Sequence, residues 1–125
     1  MSHKSKDRRV AGAVPIYQQD SVVLVSNSKG NLIFPKGGIK KNETGEEACK
    51  REAKEEGGIE GEIMDRKAIN KKGISFYFLM VTNLLDTYDE SNIRERIIMK
   101  IDDVELSSRI PKYVKDIVKD LHKSI

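Results

Sequence analysis

Residues 37 to 59 read Gly37-Gly38-Ile39-Lys40-Lys41-Asn42-Glu43-Thr44-Gly45-Glu46-Glu47-Ala48-Cys49-Lys50-Arg51-Glu52-Ala53-Lys54-Glu55-Glu56-Gly57-Gly58-Ile59. Thr44 followed three residues later by Glu47 is a capping box, so a helix is expected to begin near Gly45, and Gly57-Gly58 supplies its stop. On that helix Glu52, Glu55 and Glu56 stand at i, i+3 and i+4 and converge on one patch. Two carboxylates roughly 6 Å apart repel by about 3 kcal/mol at an effective dielectric of ~20, and by less in salt water. Part of the segment relieves itself as a solvated, salt-bridged helix: Glu46 is expected to pair with Lys50, Glu47 with Arg51, and Glu55 to reach back to Arg51. Glu52 and Glu56 find no basic partner at helical spacing. That asks for a cation, and Mg²⁺ is preferred to Zn²⁺ because carboxylates are hard ligands, the segment has no His, and Cys49 points to another part of the helix.

The same segment resembles the Nudix box, G-x5-E-x7-R-E-U-x-E-E-x-G-U with U aliphatic. Gly37, Glu43, Arg51, Glu52, Ala53, Glu55, Glu56, Gly58 and Ile59 fill every specified position. Seven are single-residue demands, so a chance match at one start point is on the order of 10⁻⁸ at average residue usage, raised by a decade or two in a Glu-rich chain.

Outward from the box, composition fits a small enzyme of that kind. The 125 residues are expected to form one domain over 1–125, with residues 1–8 a flexible basic N-terminus. A charged fraction of 34% and a net charge of +3 suit a polyanionic small molecule without demanding nucleic acid. With Cys49 as the only cysteine no intrachain disulfide can form, which favours a reducing compartment, cytoplasmic with the nucleus as the alternative. The longest apolar run, Phe76 to Val81, is too short for a membrane span, and no apolar segment follows the basic start as a signal peptide would require. Oligomeric state is not legible.

Val10 to Tyr17, Val22 to Ser26 and Leu32 to Phe34 read as strands, the last stopped by Pro35 before the glycine loop. Glu62 to Ile69 and Ile74 to Leu85 read as two more, joined by Asn70-Lys71-Lys72-Gly73 as a hairpin with a basic tip. A further strand is expected over Arg96 to Ile101. After Pro111, the spacing of Ile110, Val114, Ile117, Val118 and Leu121 predicts an amphipathic helix packed on the sheet. The chain is thus α/β, with a mixed β-sheet between helices, in agreement with the α/β/α sandwich that the Nudix resemblance implies.

The resemblance also implies roles. In Nudix enzymes helix carboxylates hold Mg²⁺, or Mn²⁺, against a pyrophosphate and one of them deprotonates or orients the attacking water. Carried over, the metal falls to Glu52 and Glu56 and the base to Glu55, with the division between Glu52 and Glu55 variable in the family. A main-chain carbonyl that serves as a further ligand maps to Lys36 or Gly37. Arg51 looks like a clamp orienting carboxylates such as Glu43 or Glu55, against the plainer alternative of a surface partner for Glu47. A cation there neutralises phosphoryl oxygens and lowers the pKa of water, while the protein chiefly positions the parts.

Phe34-Pro35-Lys36-Gly37-Gly38, with the flanks Arg9-Val10-Ala11-Gly12 and Leu24-Val25-Ser26-Asn27-Ser28-Lys29, resembles the diphosphoinositol polyphosphate phosphohydrolase branch, which also cleaves diadenosine polyphosphates. Hydrophobic strand patterns continue the likeness through Phe78-Leu79-Met80-Val81-Thr82 and Lys100-Ile101-Asp102-Asp103. The branch's phosphate contacts fall on Arg8 and Arg9, on Asn27, Ser28 and Lys29, on Lys71 and Lys72, and on Arg94 or Arg96, a set of guanidinium and ammonium donors suited to a highly charged ligand. Without Trp there is no obvious base-stacking platform. The branch usually has an acidic residue where Ile97 stands, with Glu95 as the available substitute. The alternatives are a Nudix hydrolase of nucleotides, acting on nucleoside triphosphates or on capped RNA, and a noncatalytic phosphate- or RNA-binding module.

Overall fold

The structure is a computed structural model and describes residues 9–123. The expectations for residues 1–8 and for Arg8 as a phosphate contact lie outside the described residues. Among the described residues eight strands and three helices follow one another as β1 (Val10–Tyr17), β2 (Ser21–Ser26), β3 (Leu32–Ile33), β4 (Lys36–Gly38), α1 (Gly45–Gly57), β5 (Ile59–Ile63), β6 (Ile69–Lys71), β7 (Ile74–Leu84), β8 (Arg96–Lys100), α2 (Ile101–Val104) and α3 (Lys112–Lys123).

The sheet is mixed. Its path runs β3-β2-β1-β7-β5, with β4 also on β1, β6 on β7 and β8 on β2. β1 and β7 are parallel from Val10↔Ile74 to Ile16↔Met80, and the remaining pairs are antiparallel. Alternation along the strands sends successive side chains to opposite faces. Ala13, Val23 and Leu79 meet Cys49 and Ala53 of α1, together with Ile59. Val14, Leu24, Phe76 and Phe78 meet Val114, Ile117 and Leu121 of α3, with Phe34 and Ile110 in the same core. Covered on both faces, β1 and β2 are buried almost without interruption. The five apolar residues predicted to anchor the last helix are all buried.

Three expectations change. The glycine segment after Pro35 is no free loop: Lys36–Gly38 pairs with β1 in the register Val10↔Gly38, Ala11↔Gly37, Gly12↔Lys36. The strand expected over Glu62 to Ile69 divides, because β5 already starts at Ile59, directly behind the helix stop, and the chain leaves the sheet at Asp65-Arg66. There the Arg66 guanidinium lies 4.3 Å above the Phe78 ring and donates to the Asp120 carbonyl of α3. The last strand ends at Lys100, and Ile101–Val104 is a short helix. The β6–β7 turn is tight, with Lys72 and Gly73 both at positive φ, the form that matches strand twist.

The splayed β1–β2 hairpin positions the site. Those two strands pair only at Ile16↔Val22 and Tyr17↔Ser21. The other end of that edge of β1 is taken by β4, which brings Lys36–Gly38 beneath α1.

Candidate active site

α1 starts and stops where local chemistry dictates. The Thr44 hydroxyl accepts from Glu47 N–H at 3.0 Å, and Glu47 Oε1 accepts from Thr44 N–H at 2.9 Å. At the other end Gly58, at φ 63°, donates back to the carbonyls of Ala53 and Lys54. With its ends fixed, the helix turns Glu52 and Glu56 inward, 9% and 5% exposed, while the Glu55 side chain remains one-third exposed.

The expected pairs Glu46–Lys50 and Glu47–Arg51 are replaced. Lys50 reaches Glu62 on β5 at 3.6 Å, and Glu47 is occupied by the cap. Arg51 folds toward the preceding loop. Its Nε and Nη2 grip Glu43 at 2.7 and 2.9 Å, Nη2 also donates to the Gly38 carbonyl at 2.9 Å, and Nη1 donates to Glu52 at 2.8 Å and Glu55 at 3.3 Å. Glu52 therefore has a basic partner inside the helix after all, its immediate neighbour. This planar fork is a geometry that Lys could not reproduce. The Arg51 guanidinium holds the Glu43 carboxyl down at about 2, and Arg51 itself is shifted upward by the same contact.

Glu56 sits differently. Burial, joined by a hydrogen bond with the Glu52 carboxyl, pushes it up to about 8. Its nearest donors are Lys36 N–H at 3.3 Å and Arg94 Nη2 at 4.0 Å. Two largely buried carboxyls in hydrogen-bond contact form a place a hard cation can take.

Backbone alternation decides which carbonyl of β4 joins them. Ile39 N–H donates to the Arg9 carbonyl and Ala13 N–H to the Pro35 carbonyl, so the opposed residues 9/39, 11/37 and 13/35 are the hydrogen-bonded pairs. Gly37 thus spends its polar groups on β1. Lys36 and Gly38 turn theirs the other way, as the Lys36 contact to Glu56 and the Gly38 contact to Arg51 show. Of the two carbonyls expected to serve a metal, that of Lys36 faces the carboxylates. Gly37 contributes space: a Cβ there would fall 2.1 Å from Glu52 Oε2. Among the described residues no three His, Cys, Asp or Glu side chains group as a metal cage. The donor set that fits a cation is therefore Glu52, Glu56, the Lys36 carbonyl and water, an all-oxygen set of the kind Mg²⁺ accepts.

The predicted phosphate contacts separate into three groups. Asn27, Ser28, Lys29 and Lys72 line one cleft of about 360 Å³ with Asn31, Lys36, Pro111 and Tyr113. Asn27 also shapes its own turn, its Oδ1 accepting from the N–H groups of Lys29 and Asn31. Lys72 lies 5.1 Å above the Tyr113 ring. Lys71 points elsewhere, to Asp116 at 4.0 Å, and Arg9 is exposed at the start of β1. The two downstream arginines lie at the C-terminal end of α1. Arg96 donates to the carbonyls of Gly57 and Leu85, and Arg94 to Ser26 O and Glu90. Glu95, the acidic substitute for Ile97, pairs with Arg109 at 2.9 Å. The acidic residue of this segment that approaches the site is Glu90, through Arg94.

Sequence reading missed Lys36 as a side chain, Tyr113 and Glu90. Lys36 was hidden because the segment after Pro35 reads as a glycine loop, whereas it pairs with β1 opposite Gly12. The other two depend on tertiary packing. Cys49 is buried against the sheet with its thiol pushed up to about 12, inert packing beside the site.

The NUDIX domain family model matches residues 6–121. Nudix hydrolase 18, mitochondrial, of Arabidopsis thaliana is 31% identical over 122 residues, covering 82% of this chain and 69% of that protein. Nudix hydrolase 16, mitochondrial, of the same plant is 31% identical over 143 residues, covering 91% and 79%. Among solved structures, a NUDIX-family hydrolase from Clostridium perfringens superposes with a TM-score of 0.75 at 17% identity over 94% of this chain and 97% of that one. A MutT from a study of the Aliivibrio salmonicida and Vibrio cholerae enzymes superposes with a TM-score of 0.71 at 23% identity over 94% and 98%.

Proposed function

The chain belongs to the Nudix hydrolase family, and from that premise we propose that it hydrolyses a pyrophosphate bond in a highly phosphorylated small molecule, a diphosphoinositol polyphosphate or a diadenosine polyphosphate, with Mg²⁺ as cofactor. The observation that carries this reading is Lys36. Its backbone N–H donates to the buried Glu56, and the residue also lines the cleft that holds Lys29 and Lys72. One residue thus joins the place where a bond can be cut to the place where phosphates can be held.

The chemistry divides accordingly. Held by Glu52, Glu56 and the Lys36 carbonyl, a divalent cation would supply charge neutralisation of phosphoryl oxygens. Glu55, part-exposed to solvent and tethered by Arg51, is the residue to which this reading gives the proton of the attacking water. Arg51 keeps Glu43, Glu52 and Glu55 in register. In the cleft, none of Lys29, Lys36 and Lys72 has a carboxylate within ion-pairing distance among the described residues, and no acidic side chain lines it. Three uncompensated ammonium groups favour a polyanion. The one aromatic lining residue, Tyr113, carries Lys72 5.1 Å above its ring, and a cleft lined by three lysines and a single aromatic favours the inositol ligand over the dinucleotide.

The test is a panel assayed with Mg²⁺: diphosphoinositol pentakisphosphate, diadenosine hexaphosphate, nucleoside triphosphates and capped RNA. The first two are expected to turn over fastest, and Glu55→Gln is expected to lose most of that activity. Faster hydrolysis of triphosphates or capped RNA would transfer the protein to the nucleotide-cleaving Nudix enzymes. No turnover of any member with Mg²⁺ or Mn²⁺ would mark a noncatalytic phosphate-binding module.

A further inference from the structure

The carboxylate pair has a fixed cation of its own. Arg94 comes from the segment after β7 and is held from three sides: Nε donates to Glu90, Nη1 donates to the Ser26 carbonyl at 2.9 Å, and Nη2 stands 4.0 Å from Glu56 Oε2. The segment itself is tied to α1, with Leu85 N–H on the Gly58 carbonyl at 2.8 Å and Glu90 N–H on the Glu55 carbonyl at 3.1 Å. Arg51, the other guanidinium of the site, spends its donors on Glu43, Glu52, Glu55 and Gly38. Arg94 is therefore the cation that faces Glu56, whose side chain is only 7% exposed.

We propose that Arg94 is a built-in counter-cation of the metal site, holding Glu56 in place when metal is absent and opposing the divalent ion when it arrives. This rests on the assignment of the metal to Glu52 and Glu56. A guanidinium anchored by a backbone carbonyl and a second carboxylate cannot swing away freely, so any cation on Glu56 must sit within its field. Metal binding to the free protein is thereby weakened.

Mn²⁺ binding to the full chain, read by the paramagnetic signal of free Mn²⁺ and by calorimetry, tests this without turnover. Arg94→Gln is expected to bind Mn²⁺ more tightly, on the order of 5- to 50-fold for a divalent and a monovalent charge about 7 Å apart in a largely aqueous dielectric. Arg94→Lys, which keeps the charge, is expected to stay near wild type. A residue that merely braces the loop would show the opposite sign, since loosening the loop loosens the site. Equal or weaker Mn²⁺ binding by Arg94→Gln overturns the proposal. Glu56→Gln separates the two layers: loss of Mn²⁺ binding there supports the metal assignment whatever Arg94 does, and unchanged binding there removes that assignment and the proposal with it.

Discussion

Gly37→Ala perturbs the site with little else attached. Gly37 is not among the glycines at positive φ, so its backbone accepts Ala, and in a strand Ala gains roughly 0.5–1 kcal/mol over Gly from the less flexible unfolded chain. The new Cβ would fall 2.1 Å from Glu52 Oε2 and 2.2 Å from its Cδ, far inside contact distance. What must give way is the end of a flexible side chain, since β4 is pinned to β1 through its hydrogen-bonded pair with Ala11. Overpacking of this kind costs about 1–3 kcal/mol, so the net loss of stability is about 0–2.5 kcal/mol, a fall in Tm of at most roughly 10 °C for a chain of this size. Glu52 cannot retreat along its own axis without losing the 2.8 Å contact with Arg51. It is displaced by about 1 Å, and a shift of that size costs on the order of 100-fold in rate, or about 2.7 kcal/mol of transition-state stabilisation. The assay pairs thermal melts with and without Mg²⁺ against initial rates on diphosphoinositol pentakisphosphate. A folded Gly37→Ala protein that keeps its rate within threefold and its Mg²⁺-induced rise in Tm would refute the placement of Glu52 against β4.

Three further outcomes follow from the same geometry. Arg51→Lys keeps the charge but loses the fork, so stability to denaturant should fall by about 2 kcal/mol and kcat should fall more than the KM changes, checked by urea melts and steady-state kinetics. For pH, Glu56 is raised from 4.5 to about 8, so the metal-free fold binds more protons than the unfolded chain between those values and its stability falls as pH rises through that window. The Mg²⁺-induced rise in Tm should grow over the same window as the competing proton leaves, and Glu56→Gln should flatten both trends in melts recorded from pH 5 to 9. Glu43 works in the opposite sense, its stabilisation present above 4.5 and lost as pH falls toward about 2. Lys72→Ala should raise the KM for a polyphosphate several-fold and reduce its salt dependence, leaving Mn²⁺ affinity unchanged, because Lys72 lies in the cleft and not at the carboxylates. Loss of Mn²⁺ binding in that variant would count against the division between the two halves of the site.

What the sequence disclosed depended on how far apart the interacting groups lie along it. The bounds of α1 were readable because a capping box and a left-handed glycine act within four residues, and the apolar spacing after Pro111 was readable because one helix face repeats regularly. Partner choice was less so. Glu47 had two local uses, Arg51 one turn on or the cap behind it, and the cap won, which freed Arg51 to cross to Glu43. Lys71 and Lys72 look equivalent in the chain, yet the tight turn sends one to Asp116 and the other over Tyr113. Arg94 and Arg96 stand two apart in a basic segment, but one faces the Glu56 carboxylate of α1 and the other caps that helix through the Gly57 carbonyl. A charge in the sequence states only that a partner is needed. Topology chooses the partner, and here it hands basic residues that looked like one phosphate-binding set to two different places: lysines to an open cleft, and arginines to the carboxylates and C-terminal end of α1.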